Sequence, residues 1–173
     1  FSFLSYLVVV ILFVILGFII LKGASVISWD FLTQAPQEGM TSGGIFPAIV
    51  GTLYLVIGSS LISFPIGIMS GIYMNEYATN GKLIRFIRIM TNNLSGVPSV
   101  VFGLFGMSLF VSTLGWGDSI IAGSFTLALM SLPLIIRTTE EALKSIDDSF
   151  RHGSLALGAT KLQTIRRVVL PMA

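Results

Sequence analysis

The chain has 173 residues, 54% of them apolar and only 10% charged, with a net charge of +2. Soluble proteins carry about a quarter charged residues, so this is a membrane composition. Cysteine is absent, which excludes disulfide frameworks, thiol nucleophiles and thiolate metal sites; the Lys and Arg residues are scattered over loops, without the basic, aromatic-interleaved face that nucleic-acid binding needs.

Residues 1–21 carry no charge and form the first predicted span, since about 20 apolar residues cross roughly 30 Å of hydrocarbon. The run is too long and uniform for a signal-peptide core and lacks a clear cleavage site after it, so it reads as a retained membrane anchor. Residues 22–44 form a mixed outer loop with Trp29, Asp30 and Glu38. Trp29 suits a membrane interface, and the loop ends in Gly39-Met40-Thr41-Ser42-Gly43-Gly44, a flexible approach to the next helix.

The remainder, 45–173, holds three further predicted spans at about 45–73, 94–114 and 119–136. The second has Pro47 near its start and Pro65 inside, where a kink is expected. Its Gly67 and Gly71 make a GxxxG pair, either a close-packing face or two tolerated membrane glycines. Between the second and third spans, Lys82, Arg85 and Ile89 share one helical face, as a helix lying at the membrane surface or a plain basic loop would show. The third span contains Pro98 and the small-residue series Ser95, Ser99, Gly103 and Gly106. Gly115-Trp116-Gly117-Asp118 is a tight turn with an aromatic at the water boundary, and the fourth span follows. Arg137 with Glu141 and Glu140 with Lys144 then continue at i, i+4 spacing, prolonging the fourth helix into water or a polar vestibule.

Cationic residues orient the spans. Segments 74–93 and 137–173 hold three and six Lys or Arg, against one in 22–44 and none in 115–118. The positive-inside rule then places the N-terminus, the 74–93 loop and the 137–173 segment in the cytoplasm.

No catalytic constellation is present. Gly158-Ala159-Thr160-Lys161 lacks the first glycine and the final hydroxyl of a phosphate-binding P-loop, and His152 has no companion His or Cys for a metal. Arg137, Glu140 and Glu141 are the ionisable groups nearest the bilayer. Such groups often mark a substrate path, while an arginine at a cytoplasmic helix end also snorkels and complements the helix dipole.

The segment 137–171 ends in a polar knuckle. Asp147 or Asp148 can cap a helix carrying Phe150, Ser154 and Leu157 as a stripe, and Gly158 suits its end. Thr160 and Gln163 fit a capping box for a second helix with Leu162, Ile165 and Val169 as its stripe, and Pro171 follows. Gly158, Val168, Leu170 and Pro171 sit on the spacing of the cytoplasmic signature of ABC-importer permeases: Glu-Ala-Ala, three residues, Gly, nine residues, Ile, one residue, Leu-Pro. His152-Gly153-Ser154 stands in place of Glu-Ala-Ala, removing the acidic residue and any salt bridge it would make.

Asn75-Glu76-Tyr77-Ala78, the turn Asn93 to Pro98 and the run Arg137 to Ala142 extend the likeness over most of residues 44–171. With them the chain resembles the phosphate-specific PstA branch of those permeases. The resemblance implies an all-α, polytopic membrane helical bundle with the type I, MetI-like permease core, truncated here to four spans plus the coupling helix, with two further helices beyond Ala173. It implies a non-catalytic subunit of a bacterial or archaeal inner membrane that binds no cofactor itself. The implied partners are a PstC-like second permease, a dimer of ATP-binding subunits that holds the ATP, a periplasmic or lipid-anchored phosphate-binding protein, and membrane lipid. Ser154, Leu155, Ala156, Leu157, Gly158, Ala159 and Thr160 become the ATPase-coupling surface, and Arg137 gains weight as an oxyanion contact. Three other readings remain: a permease for another oxyanion or polar nutrient, an ion-coupled transporter, which would need carboxylates inside the spans where there are none, and a membrane scaffold.

Overall fold

The computed structural model describes residues 2–78 and 81–173. Phe1, at the start of the first predicted span, and Thr79 and Asn80, within the 74–93 loop, lie outside the described residues. The chain divides into two compact units, residues 1–53 and 54–173, with the boundary inside helix α3.

In the first unit, α1 (Ser2–Gly23) is apolar on every side, and its side chains from Leu4 to Leu21 stand exposed. A helix that is hydrophobic all round needs an apolar surrounding, and at 1.5 Å per residue it is long enough to span the bilayer. The short α2 (Trp29–Thr33) starts where the Ser28 hydroxyl accepts the Phe31 amide. Strands β1 (Pro36–Gln37) and β2 (Ser42–Gly43) pair antiparallel around the turn Glu38–Met40.

The glycine-rich approach predicted as flexible is therefore a tied hairpin. The amides of Gly44, Ile45 and Phe46 donate to the carbonyls of Ala35, Phe31 and Gln34 at 3.3, 2.9 and 3.2 Å. A Cβ at Gly44 would lie 2.7 Å from the Gln34 carbonyl oxygen, so glycine here serves close backbone approach.

In the second unit, α3 (Phe46–Ile72) continues through Pro65 and runs into a π-helical turn, Tyr73–Tyr77. Then come α4 (Lys82–Leu94), α5 (Ser99–Gly106) with a π-helical extension Met107–Thr113, and α6 (Ile120–Lys144). The knuckle follows as α7 (Asp148–Ala156) and α8 (Lys161–Thr164), the latter extended by a π turn, Ile165–Val169.

Among the described residues three helices are long and apolar enough to cross a membrane, and a fourth crossing requires α4 and α5 to count together although they meet at 102°. The helix predicted from Leu94 starts instead at Ser99. Pro98 forces an extended residue before it, and the amides of Ser95, Gly96 and Val97 close a turn on Thr91, Asn93 and Leu94. Leu94 thus ends α4, which is helical as the surface-helix alternative predicts, with Lys82, Arg85 and Ile89 exposed.

Small residues set the packing of α6. A Cβ at Gly67 would lie 2.6 Å from Ile135 Cγ2, one at Gly71 2.7 Å from Thr139 Cβ, and one at Gly123 2.8 Å from Leu55 Cδ2. Gly67 and Gly71 are therefore a close-packing face. Of the predicted small series in the third span, Gly106 meets Thr126, while Gly103 faces open space. Beyond the end of α5, Trp116 turns back onto Phe110 and Phe125, with ring centroids 5.4 and 5.2 Å away.

Candidate functional site: a knuckle clamped to the helix bundle

The knuckle is rigid by local chemistry. Asp147 Oδ1 accepts the Ser149 amide at 2.7 Å, and hydrogen bonds from Ser149, side chain first and then backbone, hold the Asp147 carboxyl below its usual range. At the other end of α7, Gly158 adopts φ 85°. Its amide donates to Leu155 and that of Ala159 to Ser154, at 3.0 and 3.3 Å, which is a Schellman closure that needs a left-handed residue at this position. Thr160 and Gln163 then form the predicted capping box, with reciprocal bonds of 3.3 and 2.9 Å. Ser154 Oγ lies 3.0 Å from Thr164 Oγ1, joining the two helices.

The predicted apolar stripes divide. Ile165 and Val169 are buried, and Val169 packs with Leu143, Ile146 and Ile72. Phe150, Leu155, Leu157 and Leu162 are not buried, and Leu157 is 91% exposed. Leu157 ends the helix at its cap instead of extending the face of Phe150, and no described residue covers it.

Above the knuckle lies a charged layer centred on the π turn Tyr73–Tyr77, where the Ala78 amide reaches the Tyr73 carbonyl. Arg88 of α4 donates to Glu140 of α6 through Nε at 3.2 Å and to the Met74 carbonyl through Nη2 at 3.2 Å. Arg151 of α7 grips Glu76 Oε1 through Nη2 and Nε at 2.9 and 3.2 Å. Asn75 Nδ2 donates to the same oxygen at 2.9 Å. The Glu76 carboxylate holds the Arg151 guanidinium still more firmly protonated than usual, against the opposing effect of burial. Lys161 Nζ stands 5.0 Å from the Tyr77 ring centroid, a cation–π contact from α8 to the same turn.

The predicted pair Arg137–Glu141 forms at 2.8 Å, with both side chains more than half exposed. Glu140 meets Lys144 only at 3.8 Å and takes Arg88 as its nearer partner at 3.1 Å. Arg137, Glu140, Glu141, Arg88 and Lys144 border a cavity of about 250 Å³. A second cavity, about 460 Å³, opens beside α7 between Glu76, Asp148, Arg151, His152 and Lys161. Among the described residues no cluster of three His, Asp or Glu could hold a metal ion.

Sequence reasoning missed the two long-range pairs, Arg88–Glu140 and Glu76–Arg151. A usable signal was present, because an apolar chain with few charges must pair those it buries, and Glu76 lies in a short polar interval after a span.

Comparison with known proteins gives a consistent picture. Residues 63–173 match the family described as binding-protein-dependent transport system inner membrane component. The chain is 35% identical over its whole length to the probable ABC transporter permease protein YqgI of Bacillus subtilis, covering 59% of that protein. It is 34% identical, again over its whole length, to the phosphate transport system permease protein PstA of Mycobacterium leprae, covering 58% of it. The chain thus spans less than two thirds of these relatives. Among solved structures, the MetNI methionine ABC transporter in inward facing conformations is similar with a TM-score of 0.57 and 25% identity, over 74% of this chain and 60% of that one.

Proposed function

The chain belongs to the family of binding-protein-dependent transport system inner membrane components, and on that premise we propose that it forms part of the translocation path of an ATP-driven phosphate importer and couples that path to a separate ATPase. The observation that carries this is the knuckle: a doubly capped turn, rigid in its backbone, that presents Leu155, Leu157 and Leu162 uncovered. Apolar side chains on a rigid polar turn suit docking against another protein. The residues Ser154 to Thr160 therefore meet the ATP-binding dimer, which supplies all ATP chemistry, while this multi-pass inner-membrane component has no enzymatic step of its own.

A PstC-like permease beside it and a phosphate-binding protein on the outer side complete the assembly. The charge bias supports a cytoplasmic N-terminus and a cytoplasmic knuckle. Closure of the ATPase dimer pushes on α7 and switches the helices between outward and inward access. Phosphate as cargo follows the name of the Mycobacterium leprae relative. It is supported chemically by Arg137, whose guanidinium can form charge-assisted hydrogen bonds with an oxyanion at the cavity it borders with Glu140 and Glu141.

The test is reconstitution of the full-length permease with its partners in vesicles, with labelled phosphate and with or without ATP on the knuckle side. ATP-dependent phosphate flux is expected. Flux of a different oxyanion in its place would overturn the substrate, and ATP-independent flux would overturn the mechanism.

A further inference from the structure

The five N–H groups of an arginine form a fixed fork, and in Arg151 each has a partner. Nη2 donates to Glu76 and to the Leu143 carbonyl at 2.9 and 2.8 Å. Nη1 donates to the Ile146 carbonyl and to Asp148 Oδ1 at 2.8 and 3.0 Å, and Nε completes the grip on Glu76. The side chains of Arg151 and Glu76 are only 15% and 6% exposed.

The partners come from three separate segments. Leu143 belongs to the last turn of α6, whose end carbonyls lack intrahelical donors and attract positive charge, and Ile146 lies in the link that follows. Glu76 belongs to the π turn that ends the α3 helix. Arg151 itself belongs to α7. Residues 145–147 join α7 to α6, and α7 is also tied through Ser154 and Thr164 to the α8 segment, whose Val169 packs on Leu143, Ile146 and Ile72; to these contacts Arg151 adds a directional polar tie to both Glu76 and the end of α6. The pair above it is already stiff, because Gly67 and Gly71 hold α3 against Ile135 and Thr139 of α6.

We propose that Arg151 is the positioning residue of coupling: by binding Glu76 and the end of α6 at once, it makes the knuckle, α3 and α6 move as one body, so that displacement of the knuckle reaches the helices that change access. This rests on the transport reading above. It also shifts attention from the missing acidic start of the permease signature, His152-Gly153-Ser154, to the residue just before it. Arg151 has two acidic partners, Glu76 on the π turn after α3 and Asp148 at the start of α7.

The test uses the reconstituted full complex and reads the ratio of ATP hydrolysed to solute transported, together with the yield of assembled complex. Arg151→Gln, Glu76→Gln and the double variant should assemble and hydrolyse ATP with uptake at least tenfold lower per ATP. The double variant should be no worse than Arg151→Gln alone, since both remove one linkage. Arg151→Lys keeps the charge but loses the fork, and should fall between. It also serves as the decisive variant if Arg151→Gln does not assemble. An unchanged ratio in assembled variants, with hydrolysis and uptake falling together or not at all, would overturn the proposal while leaving the transport function standing. Absence of ATP-driven transport by the wild-type complex would overturn both, and transport of another solute would simply make that solute the one measured in the ratio.

Discussion

Adding one methyl group at Gly71 should destabilise the permease, even though alanine is the better helix former. Propensity alone favours alanine over glycine in a helix interior by about 1 kcal/mol. A Cβ there, however, would lie 2.7 Å from Thr139 Cβ, 2.8 Å from Thr139 Cγ2 and 3.0 Å from the Ile136 carbonyl oxygen. Carbon atoms rest about 3.5–4.0 Å apart, so α3 and α6 must separate by on the order of 1 Å. None of these atoms is the free end of a long side chain, so the backbone has to yield. Overpacking of this kind costs roughly 1–3 kcal/mol, which leaves a net loss of about 1 kcal/mol after the propensity gain. The control is Gly103→Ala, whose Cβ would meet nothing within 4 Å. It gains the propensity without the clash. Thermal unfolding of the full-length permease in detergent should show Gly71→Ala melting about 2–4 °C below wild type, with Gly103→Ala at or above it. If Gly71→Ala melts with Gly103→Ala, the close contact does not govern the packing of α3 on α6.

Leu157→Asp should leave folding intact, because the side chain is 91% exposed, yet weaken association with the ATP-binding subunits ten- to a hundredfold, roughly the effect of about 1.5–3 kcal/mol of lost burial; unchanged co-purification and affinity would remove it from the docking surface. Gly158→Leu should uncouple hydrolysis from uptake, since φ 85° is strained for a side chain even though the surrounding space is open, and Gly158→Asn, which tolerates that conformation, should restore much of the coupling; equal coupling in both would count against a strict turn. Arg137→Gln should lower uptake with assembly intact, and full transport in that variant would exclude Arg137 from the phosphate path.

The parts of the fold that could be read from sequence are those whose causes are local. The knuckle is the clearest case: Asp147, Gly158, Thr160 and Gln163 each satisfy backbone groups within a few residues, so residue type and spacing carry the geometry. The same holds for the extension of α6 to Lys144, where i, i+4 charges continue the helix. Hydropathy carries the third predicted span back to Leu94 because it ignores the break that Gly96 and Pro98 impose in an uncharged run. The hairpin before α3 is not legible in the sequence because its hydrogen bonds run to Phe31 and Gln34, which composition cannot reveal. Glu76 and Arg151 stand 75 residues apart in the chain, and only the packing of α3 against α6 brings them together.

The same packing separates the roles of Arg137, Glu140 and Glu141, three of the ionisable residues in the last turns of α6. Glu140 is buried and held by Arg88, whose other donor is committed to the Met74 carbonyl. Releasing it to a passing anion would strand a buried carboxylate beside its former partner, and breaking one side of such a pair is strongly unfavourable. Its charge also repels an oxyanion. Arg137 is in the opposite position, since among the described residues its close partner is Glu141 and both are more than half exposed. An exposed pair of this kind is worth about 0–1 kcal/mol. On the proposed reading, an oxyanion would displace Glu141 from Arg137, giving up only that weak pair and gaining charge-assisted hydrogen bonds to a planar fork. In the proposed path, Arg137 would therefore be the group that exchanges its partner for cargo, while the Arg88–Glu140 pair ties α6 to α4 beside the cavity.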